Sequence, residues 1–166
     1  VTERTSQTRA SQTRQRSGPP TTPEQLRSYV PYLINRLSNR WNLDQNRDLS
    51  AHGINNVVLR TLSVLNIYKT LTVNEIAILA VTEQSTASRT IDAMVSAGWV
   101  KREIGEKDLR RREIALTKAG EALLKKVYPV IDRNYEALAR GIDRSEVEIC
   151  ARVLARMIDN VRQNDI

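Results

Sequence analysis

Six cations fall within twelve residues of this chain: Lys101, Arg102, Lys107, Arg110, Arg111 and Arg112. Guanidinium and ammonium groups at that density favour charge-assisted hydrogen bonds to anionic oxygens, phosphate above all. A charge run alone is more often a solvated face, so its neighbours decide. Asp108 is the informative one. A carboxylate among phosphates is costly unless it holds Arg110 by a charge-assisted hydrogen bond and aims it. The alternating run Arg112-Glu113-Ile114-Ala115-Leu116-Thr117 reads as a strand, which puts the cations at a strand tip. A narrow hairpin with arginine at its tip fits a minor groove, where negative potential is focused.

A second constellation lies just upstream. Wound at 3.6 residues per turn, the segment Gln84–Ala97 places Ala87, Thr90, Ile91, Met94 and Val95 on one side. Gln84, Ser85, Ser88, Arg89 and Asp92 fall on the other. Glutamine pairs with adenine edges and arginine with guanine, while serine or threonine serves either base or phosphate. An amphipathic helix with a merely solvated polar face has the same pattern. The charged hairpin beside it tips the reading towards DNA.

Composition agrees. Lys and Arg outnumber Asp and Glu by 26 to 19, a formal charge of +7, which favours an anionic partner. A single His and a single Cys leave no metal cluster and no nucleophile–base–orienter set, so neither enzyme, cofactor nor metal is expected. The lone Cys150 suits a reducing cytoplasm. No apolar run approaches the roughly 18 residues of a membrane span, and nothing reads as a signal peptide.

The elements that must position these residues follow from caps and periodicity. Residues 1–20 repeat "SQTR" and contain almost no apolar residues, so they read as a disordered basic tail. Arg4, Arg9, Arg14 and Arg16 in that tail are able to brush phosphates or a minor groove. Thr22, Pro23 and Gln25 mark a helix start. The stripe Leu26, Val30, Leu33, Leu37, Trp41 predicts one long helix from there, kinked at Pro31. "DLSAHGI" turns the chain, and an Asn-capped helix carries Val58, Leu62 and Leu65. Thr72, with Glu75 three beyond, opens a short helix to Ala80; "VTEQS" is a tight turn; Ser85 to Ala97 is the next helix, ended by Gly98. Two short helices so joined make a helix-turn-helix. The strands "WVKREI" and "RREIALT" around "GEKDLR" make its wing. Thr117 caps another helix, interrupted at Pro129. Asp143 and Glu146 box the last helix, striped by Val147, Cys150, Ala151, Leu154, Ile158 and Val161.

Residues from about 28 to 125 resemble the MarR family of winged-helix transcription regulators. "AHGINNVVLRTL" resembles that family's entry into its second helix, and "LTVNEIAILAVTEQSTASRTIDAMVSAGWVKRE" its helix-turn-helix. "DLRRREIALT" fits its wing signature, with Asp108, Arg110, Ile114, Leu116 and Thr117 in the signature places. Leu109 stands where many relatives have an arginine. This leaves open whether Arg110, Arg111 or Arg112 enters the groove. The implied fold is mainly α with a small β-hairpin wing, a winged helix-turn-helix with N- and C-terminal dimerisation helices. The parts are then a tail over 1–20, a dimerisation helix and turn over 21–53, the DNA-binding domain over 54–117, and C-terminal dimerisation helices over 118–166.

The resemblance also implies function. It points to a homodimeric, sequence-specific regulator on a pseudo-palindromic double-stranded operator, with no membrane partner. The expected regulator is a repressor released by a small aromatic or anionic effector such as an aromatic acid or acyl-thioester. The residues expected to touch DNA are Gln84, Ser85, Thr86, Ser88, Arg89, Asp108, Arg110, Arg111 and Arg112. Those expected to line an effector site are Tyr29, Tyr32, Arg36 and His52, against the alternative that the tyrosines pack in an interface and Arg36 is solvated. Some relatives sense oxidants through a cysteine, but Cys150 lies on an apolar stripe, which favours packing. A constitutive or architectural DNA binder without a ligand switch is the other functional reading.

Overall fold

The computed structural model describes residues 18–104 and 112–161. Most of the expected tail, and Asp108, Arg110 and Arg111 of the wing tip, lie outside the described residues. The chain divides into two compact units, Val1–Arg40 and Trp41–Ile166.

In the first unit, α1 (Pro23–Arg27) starts as the sequence requires, with the Thr22 side chain accepting from the Gln25 amide. The single long helix does not form. α1 stops at Arg27, and α2 (Val30–Ser50) starts afresh after Ser28 and Tyr29. The cause is Pro31. In an unbroken helix its ring would meet the Arg27 carbonyl and leave it without a donor, whereas in the first turn of a new helix no N–H is needed. Ser28 reinforces the stop, its hydroxyl donating to the Glu24 and Gln25 carbonyls at 3.3 and 3.2 Å.

In the second unit the end of α2 is tied to α3 (Asn56–Tyr68). The Asn56 amide N–H donates to Asn46 Oδ1 at 2.8 Å, and its side-chain Nδ2 to the Asn42 carbonyl at 3.0 Å. Asn55 caps α3 by accepting from the Val58 amide. On α3, burial pushes Arg60 below the ordinary arginine range, and its Nε is buried without a hydrogen-bond partner.

Next come β1 (Thr70–Leu71), α4 (Val73–Leu79), α5 (Gln84–Ser96), β2 (Val100–Ile104) and β3 (Arg112–Leu116). Thr72 and Glu75 form the full capping box at the start of α4. Gly98, at φ 74, turns the chain out of α5 in the left-handed conformation that glycine adopts without strain. The strands lie in the order β1-β3-β2, all antiparallel. β1 is a correction to the sequence reading. At two residues it is too short to show periodicity, yet it pairs Leu71 with Ile114 and makes β3 the central strand.

Leu62, Ile76, Ile91, Met94 and Ile114 are fully buried and join α3, α4, α5 and the sheet into one core. α6 (Lys118–Leu138) adds Leu124, Val127 and Val130. It runs unbroken through Pro129, contrary to the expected interruption. Residues buried on both sides of the proline hold the helix together, whereas α1 buries none. α7 (Arg144–Val161) buries no residue. Val153, Leu154, Met157 and Ile158 stand exposed on it, as does Cys150. Among the described residues, no helix is long and apolar enough to cross a membrane and no side-chain group would hold a metal.

Candidate nucleic-acid interface

The helix-turn-helix is built so that one face of α5 is fixed and the other is free. Ala87, Ile91 and Met94 are wholly buried. Gln84, Ser85, Arg89 and Asp92 are exposed, and Thr86 and Ser88 partly so. The partition follows from the 3.6-residue period. The turn before α5 is held by the backbone, with the Thr82 N–H on the Ala77 carbonyl at 3.0 Å.

The exposed side chains are arranged rather than loose. Arg89 Nε donates to the Ser85 carbonyl at 3.2 Å, which folds its stem along the helix and leaves its terminal guanidinium nitrogens for a partner. Gln84 Nε2 donates to Asn74 Oδ1 at 2.7 Å, joining α5 to α4. Asp92 and Arg102 form an ion pair that joins α5 to β2. Asp92 is therefore a wing support, and Arg102 leaves the pool of cations open to phosphate. Lys101 is likewise paired, with Glu103 at 2.5 Å. Arg112, exposed opposite Ile104 at the outer end of the hairpin, carries the described charge nearest the tip.

Thr117 closes the other end of the hairpin. Its hydroxyl reaches the Gly98 carbonyl at 2.6 Å and accepts from the Gly120 amide at 3.1 Å, while its own N–H donates to the Trp99 carbonyl at 3.0 Å. One residue thus fastens the end of α5, the base of the wing and the start of α6. Gly120 completes this joint, since a Cβ there would lie 2.1 Å from the Trp99 carbonyl oxygen. Sequence reasoning found Thr117 as a cap but missed Asn74. Its only sequence signal is an amide in the first turn of α4, ten residues before a glutamine.

Of the residues expected to meet an effector, Tyr32 and Arg36 come together. Arg36 Nη1 donates to the Tyr32 hydroxyl at 3.0 Å, and its guanidinium carbon lies 5.9 Å from the ring centroid. Tyr29 stands in the break before α2 and not within one continuous helix, although its carbonyl accepts from the Leu33 amide. His52 belongs to the second unit, in the turn after α2, its N–H on the Leu49 carbonyl.

A family model described as the MarR family matches residues 52–111. A MarR family transcriptional regulator from Silicibacter pomeroyi DSS is 34% identical with a TM-score of 0.80, the match covering 84% of this chain and 94% of that one. Bordetella bronchiseptica BpsR, described as having its DNA binding regulated by 6-hydroxynicotinic acid, is 17% identical with a TM-score of 0.72, over 80% and 94% of the two chains. S. aureus MepR, solved as a complex with DNA, is 22% identical with a TM-score of 0.70, over 80% and 96%. At these last two identities the likeness is one of fold.

Proposed function

We propose, since this chain belongs to the MarR family of transcriptional regulators, a family of regulators and not of enzymes, that it is a homodimeric, sequence-specific DNA-binding repressor of the cytoplasm, released by a flat aromatic or anionic ligand. The observation that carries the DNA reading is the α5 face. Gln84, Ser85 and Arg89 stand exposed on a helix whose opposite residues are wholly buried, so base contact would cost no rearrangement of the core. MepR, similar in fold, is bound to DNA in its own structure, which supports the same use here. The exposed apolar residues of α7 fit a second copy, since faces this apolar are normally covered.

Arg89→Ala should relax base preference at one position per half-site, at about 1–3 kcal/mol, with the dimer intact. Arg110 is assigned to the minor groove, held by Asp108. Arg110→Ala should weaken specific and random DNA alike and lower the salt slope by about one ion per wing. An unchanged slope would transfer that role to Arg111 or Arg112.

The effector reading rests on Tyr32 and Arg36, a ring and a cation adjacent on α2, with Tyr29 as a further candidate. BpsR responds to an aromatic acid, the chemistry this pair would take. A ligand releases DNA only by binding the DNA-incompetent state more tightly, tenfold for about 1.4 kcal/mol. Titrating aromatic acids and their thioesters against the protein–DNA complex tests this. Arg36→Ala should blunt the response and spare ligand-free affinity. The hydrogen bond already made between Arg36 and Tyr32 favours a second reading, a constitutive binder with a structural Tyr–Arg pair. Failure of every such ligand to shift binding selects it.

A further inference from the structure

The bond between Gln84 and Asn74 goes beyond a list of exposed residues. Asn74 is the second residue of α4 and Gln84 the first of α5. Both backbones are held in place. The Thr72–Glu75 capping box fixes the start of α4, and Ala87, Ile91 and Met94 fix α5 from below. Between them Gln84 Nε2 donates to Asn74 Oδ1 at 2.7 Å, with both side chains exposed. A free glutamine side chain loses rotamer freedom on binding a base, and a side chain already held by a neighbour loses less.

The remaining valences are specific. A glutamine amide has two N–H donors and one carbonyl acceptor. Asn74 takes one donor; an adenine contact requires that this be the N–H trans to Oε1, which leaves the N–H beside Oε1 for the base. In the major groove adenine presents an acceptor, N7, next to a donor, the N6 amino group. The unused edge of the held glutamine is the complement of that pair. Guanine presents two acceptors there, and one remaining N–H cannot satisfy both.

We infer that Gln84 reads an adenine and that Asn74 is the positioning residue that turns the glutamine amide edge towards it, with the Asn74 NH2 left to reach a phosphate oxygen. This rests on the reading of α5 as the base-reading helix.

The test is selection of tight-binding duplexes from a randomised DNA pool, followed by affinities for single-base changes in the selected half-site. The intact protein should prefer adenine at one position per half-site by about fivefold to a hundredfold. Gln84→Ala and Asn74→Ala should each lose that preference, and the double variant should lose no more than either alone, because the two act through one contact. Asn74→Asp keeps the acceptor. It should retain the adenine preference while its charge lowers affinity for all duplexes alike, a pattern that a merely structural role would not give. Folding and dimerisation of all variants should match the parent, since both side chains are exposed. Full preference in Asn74→Ala, or its loss in Asn74→Asp, overturns the inference and leaves the base-reading role of α5 standing. If the intact protein selects no sequence at all, the role of α5 itself fails.

Discussion

At the scale of single residues, two backbone positions around the helix-turn-helix carry opposite predictions. Val81 sits in the turn after α4 at φ 51 and is 74% exposed. A β-branched residue in the left-handed region is strained, and an exposed one recovers little by packing. Val81→Gly should raise stability by about 0.5–1 kcal/mol, the relieved strain exceeding the extra chain entropy of glycine, as measured by denaturant unfolding. Gly120→Ala should do the reverse. A Cβ 2.1 Å from the Trp99 carbonyl oxygen meets backbone that cannot turn aside, and a loss near 3 kcal/mol is expected, at the upper end for overpacking. A melting temperature equal to the parent's would show that the α6 start shifts freely. Neither position was legible in the sequence, because left-handed geometry at a valine contradicts its propensity and close approach leaves no mark on composition. Thr117 was legible as a helix cap, but the same hydroxyl's reach to the Gly98 carbonyl depends on chain nineteen residues away.

At the scale of elements, the parts with local signals appear where caps and periodicity put them. The Thr72–Glu75 box, the Asn55 cap and Gly98 all act within a few residues of where they stand. The two prolines show where local reasoning ends. Pro31 and Pro129 carry the same chemical defect, a missing N–H. Pro31 separates two helices in a stretch with no buried residue before Gln45, while Pro129 lies inside a helix anchored by Leu124, Val127 and Val130. Tertiary packing decides between break and continuity, and packing is what a single segment does not display. Pro129→Ala should therefore stabilise the protein without lengthening α6. A gain of about 1–3 kcal/mol, up to the helix-interior difference between the two residues, is expected in thermal or denaturant unfolding. A loss would mean that the helix needs the bend. The Asp92–Arg102 pair belongs to this scale too. It joins two residues ten apart in the chain, on different elements, and only the folded hairpin shows that Arg102 supports the wing and is not among its free cations.

At the scale of the whole molecule, the proposed regulator needs a second copy of itself. Of the stripe read on the last helix, Leu154, Ile158 and Val161 stand exposed, and Val153 and Met157, which the period did not single out, are exposed with them. Removing residues 144–166 should convert dimer to monomer or aggregate in sedimentation, and a truncated chain that remains dimeric would place the contact elsewhere. A two-fold dimer carrying one α5 per subunit must meet two half-sites related by the same symmetry. The most direct test is footprinting of the intact protein on its selected duplex, with stoichiometry measured in parallel. Two protomers should protect two inverted half-sites with centres about 10 bp apart, one helical turn, and Arg89→Ala should relax the same base position in each half. A single asymmetric contact, or equal affinity for every duplex, would contradict the account.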